Sequence, residues 1–173
     1  MKKILALVLA LMMVLFAVSA VAANSKQNNN ISNAEVEDSP VDLEKAEDTE
    51  ETKAVKDAIT EANEAGDPTT GLPEDIQGQL PEGFKAINEM DTYKLAGELG
   101  DDDPVRLVFT FQTPYEKGQK VPLAVAVCPP EKETFWLFWN GTGIEGGDVE
   151  TWVAKADLEK IGESPFVVIP VSE

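Results

Sequence analysis

The sequence has no histidine, one cysteine (Cys128), and 14 lysines and arginines against 32 aspartates and glutamates. Beyond its first twenty residues it has no long hydrophobic run. Each shortage removes a class of function. Without an imidazole there is no Ser-His-Asp triad, no Cys-His pair and no zinc site of the kind that needs one. A lone cysteine excludes an intramolecular disulfide framework. Cys128 closes an alternating apolar run and reads as a small half-buried residue near a strand end, with an intermolecular disulfide as the other reading. The deficit of cations leaves a formal charge of −18 on 173 residues. A chain so acidic repels nucleic-acid phosphates and anionic membrane surfaces, so neither is expected as a partner. GxSxG, phosphate-binding and dinucleotide signatures are absent as well. With this many acids, any carboxylate pair picked out for glycoside cleavage carries no signal without geometry. The expectation is a protein that is not an enzyme, with no catalytic, cofactor-binding or metal-ligating residue assigned and no cofactor implied.

What is present begins with a leader. Lys2 and Lys3 precede an apolar run from residue 4 to 20, and Ala20-Val21-Ala22 supplies the small residues a signal peptidase requires. Residues 1–23 therefore read as a secretory signal peptide, with an uncleaved anchor as the alternative because the run is near the ~17 residues of a short spanning helix. No cysteine stands at the cleavage point and no sorting motif or hydrophobic tail closes the sequence, so no stable membrane anchor is expected after cleavage. The expected location is secreted or extracellular, the cell envelope included. Residues 24–38 are polar and low in complexity, a disordered linker on composition. Residues 39–66 are strongly acidic but contain helix signals: Ser39-Pro40 as a start, Gly66-Asp67-Pro68 as a stop, and Ala54, Val55, Ala58, Ile59, Ala62 and Ala65 on one narrow face. Residues 67–173 remain as the β domain.

That domain is organised around residues 105–139. Val105, Leu107, Phe109 and Phe111 alternate with Arg106, Thr110 and Gln112, the period of a strand with one buried face. Val121, Leu123, Val125 and Val127 form the heavy face of a second strand whose light face is Pro122, Ala124, Ala126 and Cys128. Residues 135–139 are apolar on both sides, which suits a central strand or one with a cover on its second face. Weaker strands are expected at 84–90, 92–98, 149–156 and 166–171, with Pro170 confining the last to an edge or a terminus. Short helical turns are expected around 73–79 and 157–162, and Asn140-Gly141 as a hairpin turn. About seven short strands without a long helix between them point to a mainly β chain, an antiparallel immunoglobulin-like sandwich preceded by the acidic helix and the disordered arm. A second apolar sheet face must be covered, and the helical stripe ending at Ala65 is the available cover, with a binding groove as the alternative.

Three groups of residues invite a functional reading. The acidic loops Asp101-Asp102-Asp103 and Glu145-Gly146-Gly147-Asp148 offer hard oxygen ligands for calcium if they meet at one end of the fold, though neither matches an EF-hand loop and both suit solvated turns. Asn140-Gly141-Thr142 fits a glycosylation sequon that turn geometry explains better. Trp136, Trp139 and Trp152 could form an aromatic platform for sugar or peptide, or fill the core.

The run FTFQTPYEKGQKVPLAVAV, the later tryptophan, Asn-Gly and Gly-Gly region, and the closing Leu158, Ile161 and Ser164-Pro165-Phe166-Val167-Val168 resemble small immunoglobulin-like β-sandwich modules of secreted and cell-surface proteins of Gram-positive, often gut, bacteria. The resemblance covers residues 70–173 and implies a non-catalytic binding or interaction module for an unknown protein, peptide or glycan. The other reading is a structural or accessory spacer of a surface assembly with no ligand of its own. Exposed tryptophan favours the first and buried tryptophan the second.

Overall fold

The computed structural model describes residues 30–37, 39–87 and 90–173. The expected signal peptide at 1–23 and the first residues of the expected linker lie outside the described residues. Among the described residues, nine strands form: β1 (Ile31–Glu37), β2 (Asp42–Lys45), β3 (Ala86–Ile87), β4 (Asp91–Ala96), β5 (Val105–Phe111), β6 (Lys120–Val127), β7 (Phe135–Gly143), β8 (Val149–Val153) and β9 (Phe166–Ser172). The helices are α1 (Glu50–Glu64), α2 (Glu74–Gln77) and α3 (Lys155–Ile161), with a 3-10 turn at Pro68–Gly71. None of these helices is long and apolar enough to cross a membrane.

The alternation read in the sequence dictates the strand faces. Val105, Leu107, Phe109 and Phe111 of β5 and Val121, Leu123, Val125 and Val127 of β6 all enter one core, together with Trp139, Val149, Val153, Phe166 and Val168. Every strand pair is antiparallel. The strands run in the order β1-β5-β8-β7-β6-β9-β4-β2, with β3 beside β9. The terminal strands of that path, β1 and β2, follow one another in the chain and touch, so the sheet nearly closes on itself. The mainly β, antiparallel class is as expected, but the immunoglobulin-like sandwich is not confirmed: the single path of strands makes a barrel-like sheet. Period-two alternation says which face is buried and is the same in a sandwich and a barrel.

Several local expectations change with it. Ile31–Glu37 is a strand paired to β5, where composition reads as a disordered linker. A register shift between Ile31 and Asn33 lets Ile31 and Ala34 both reach the core although they are three residues apart, which hides the strand's periodicity. Ser39-Pro40 does not start the helix; β2 intervenes, and α1 begins after Thr49. There the Thr52 amide donates to Thr49 Oγ1 at 3.3 Å and the Thr49 amide donates to Thr52 Oγ1 at 2.8 Å. This reciprocal capping satisfies two orphan donors without the glutamate that usually signals it. Gly66, at φ +93°, follows the helix end as expected.

Asn140-Gly141 is not a turn but lies inside β7. A Cβ on Gly141 would sit 2.8 Å from Val149 Cγ1 and closer still to the Val121 carbonyl, so the glycine is required by close approach. The hairpin turn comes later, where the Ile144 amide donates to the Asp148 carbonyl at 2.8 Å. Of the two places Pro170 allows, an edge or a terminus, β9 takes the second: it is the last strand in chain order but not an edge of the sheet. It pairs with β6 on one side and with β4 and β3 on the other.

Outside the barrel, β6, β7 and β9 present Ala124, Ala126, Trp136, Phe138, Val167, Ile169 and Val171 to a second apolar layer. Ile59 and Val55 of α1, Leu72, Ile76 of α2 and Phe84 close over them. The helical cover therefore lies on this wall. Its contact face is smaller than the alanine stripe suggests: Ile59 is buried and Val55 and Ala62 are half-buried, while Ala54, Ala58 and Ala65 are exposed. Small alanines on β6 let the cover approach, and Leu72, Ile76 and Phe84 after α1 add larger side chains to the layer.

Candidate functional site

Among the described residues, the opposite wall of the barrel, formed by β1, β5 and β8, has no such cover. Its outward positions follow from the alternation: Glu35 and Glu37 on β1, Arg106 and Val108 on β5, Glu150 and Trp152 on β8. The register sets Glu37 opposite Arg106 and Arg106 opposite Trp152, a single row across three strands. The next row is Glu35, Val108 and Glu150.

Arg106 is held from both sides. Its Nε donates to Glu150 Oε2 at 2.9 Å, and its Nη1 donates to Glu37 Oε2. The guanidinium carbon is 5.9 Å from the centre of the Trp152 ring, within cation–π range. These pairs are half-exposed, so each adds little stability by itself, but together they fix the guanidinium plane. Trp152 is 57% exposed, and among the described residues it is the only large apolar side chain left so open. Glu37, Asp102, Pro104, Val105, Arg106 and Trp152 line a cleft of about 210 Å³ on this wall.

The three tryptophans do not gather into one platform. Trp139 is in the barrel core, its Nε1 without a partner among the described residues. Trp136 is half-buried beneath the helical cover, and only Trp152 faces solvent. The two acidic loops do not meet. Val105 pairs with Val153 and Phe109 with Val149, so the loop before β5 and the loop before β8 lie at opposite ends of this strand pair, about 13 Å of strand apart. Asp103 Oδ1 instead accepts from the Lys155 amide at 3.1 Å, capping α3 from outside the helix. The other loop packs on the segment after β5, where the Tyr115 amide donates to the Gly147 carbonyl at 2.9 Å. Among the described residues, no three acids or cysteines converge as a metal site.

Cys128 is 1% exposed. Burial pushes its thiol pKa up, the charge of Glu51 adds to this, and a hydrogen bond from Thr134 Oγ1 opposes it. Such a thiol is a poor nucleophile and cannot reach a second chain without local opening, which weighs against an intermolecular disulfide.

Trp152 and the outward direction of Arg106 are legible in the sequence; the convergence of Glu37, Asp102 and Glu150 on them is not. Glu150 and Trp152 stand two apart on one strand, which places them on one face, but Glu37 arrives from a strand hidden by its bulge. Comparison of the chain with protein-family models, curated proteins and solved structures returns no match.

Proposed function

We propose that this is a secreted, non-catalytic binding protein whose docking surface is the β1–β5–β8 wall centred on Trp152, which no other described residues cover. The observation that carries the reading is the contrast between the two walls. Where β6, β7 and β9 present apolar side chains outward, the chain spends α1, α2 and the segment to Phe84 on covering them. On the other wall it leaves a tryptophan 57% exposed beside an arginine held by two carboxylates. An exposed large aromatic with an ordered polar rim is the composition of a binding hot spot. Secretion is supported by Lys2-Lys3, the apolar run behind them and Ala20-Val21-Ala22. The absence of histidine and of any nucleophile motif from the sequence supports a role without catalysis.

Affinity capture from the envelope and medium of the producing cell, with the wild-type chain and Trp152→Ala in parallel, tests this. The expected result is a partner retained by the wild type and lost by the variant. A partner held equally by both refutes the assignment of this wall. Capture of nothing by either favours the structural spacer.

A further inference from the structure

Resting on that reading, we infer that the cleft beside Trp152 takes a basic side chain, arginine or lysine, from a peptide segment or protein surface. Size is the first argument. At about 210 Å³ the cleft is below the ~300 Å³ at which pockets for free small molecules begin, but it suits one side chain of a longer ligand.

Charge is the second. Glu37, Asp102 and Glu150 bring three negative charges and Arg106 one positive, which leaves two negative on the site. Both carboxylates bonded to Arg106 hold that cation in place, so it is neutralised where it stands and offers little to an anionic ligand. Glu35 continues the same wall with a further negative charge. The chain as a whole, at −18, adds a field that draws cations and repels phosphates and carboxylates.

The third argument is the ring. A guanidinium already lies 5.9 Å from the Trp152 centroid, showing that the geometry of this wall accommodates one. An exposed indole face bordered by carboxylates attracts a second cation through its quadrupole while the carboxylates pair with it. A neutral sugar would stack on the same ring but has no use for the excess of negative charge.

Titration of the full exported chain with a short blocked Gly-Arg-Gly-Arg-Gly peptide, followed by tryptophan fluorescence and calorimetry, tests the inference. Comparison ligands are the same peptide with citrulline in place of arginine, and a neutral oligosaccharide such as chitotetraose. We expect binding of the arginine peptide only, weakening as salt is raised and weakening roughly tenfold in Trp152→Ala. Trp152→Ala leaves the charge of the chain unchanged, and Glu150→Gln, expected to weaken the peptide as well, provides a second variant if the first fails to fold. Equal binding of the arginine peptide by wild type and Trp152→Ala means diffuse attraction to an acidic chain and overturns the inference. Trp152-dependent binding of chitotetraose overturns the cationic chemistry while the docking surface stands. No binding of either ligand at Trp152 overturns the inference, and the capture experiment then decides the docking surface by itself.

Discussion

Replacing Ile59 with alanine is the most direct test of how the outer layer is built. Ile59 is 1% exposed and lies in the apolar layer formed with Val167, Ile169, Ala124 and Ala126. The substitution removes three carbons, worth about 2.5 kcal/mol of transfer free energy at ~0.8 kcal/mol each. The neighbouring strands are paired on both sides and collapse little, so a residual cavity adds to this and brings the expected loss to about 3 kcal/mol. For a domain of this size that corresponds to a fall in Tm of about 6–12 °C. Urea unfolding followed by tryptophan fluorescence reads the loss, and Trp136, half-buried in the same layer, makes the signal local as well as global. A hydrophobic dye should bind the variant near its transition and not the wild type. Ala54→Gln, on the same helix but exposed, is the control and should change stability by less than about 0.5 kcal/mol. A loss under about 1 kcal/mol in Ile59→Ala, with no dye binding, would refute the reasoning, because α1 would then cover nothing that water reaches.

Two further outcomes follow from the packing and the charges. Gly141→Ala places a methyl 2.8 Å from Val149 Cγ1 and against the Val121 backbone, and should cost about 1–3 kcal/mol by chemical denaturation; a neutral result would show that β7 is not held so close to β6 and β8. Asp48 anchors α1 to β4: its carboxylate accepts from Lys56 Nζ at 2.7 Å and from Thr92 Oγ1. Partial burial pushes its pKa up, but the hydrogen bonds from Lys56 and Thr92 and the charges of Lys56 and Lys53 outweigh that and hold the carboxyl below its ordinary 3.8. Since the folded chain binds this proton less readily than the unfolded chain, ionised Asp48 stabilises the fold above about pH 4, and the contribution is lost as pH falls through the lower folded value. The stability difference between wild type and Asp48→Asn should accordingly be constant above about pH 5 and shrink below about pH 4; a difference unchanged to pH 2.5 would sink the assignment.

Local pattern is enough to specify the mainly β class of the fold and which side chains face its core. Alternation over 105–111 and 121–127 needs no tertiary information, because a strand's side chains must point to opposite sides, and the core holds the residues that pattern selects. The doubly apolar run at 135–139 likewise announced a second layer, and Trp136 and Phe138 lie under it. The helix stop at Gly66 and the turn after Pro73 were legible for the same local reason, since glycine and proline restrict the backbone wherever they stand. Strand order was not. Alternation is blind to which strand pairs with which: that one nine-stranded path nearly closes, that β9 runs between partners, and that Gly141 is needed for approach instead of a turn emerge only once the strands are assembled. The candidate site belongs to this second kind of knowledge. Glu37, Arg106 and Trp152 are far apart in the chain and stand in one row because β1, β5 and β8 are neighbours, and neighbouring strands bring side chains within about 5 Å whatever their separation in sequence.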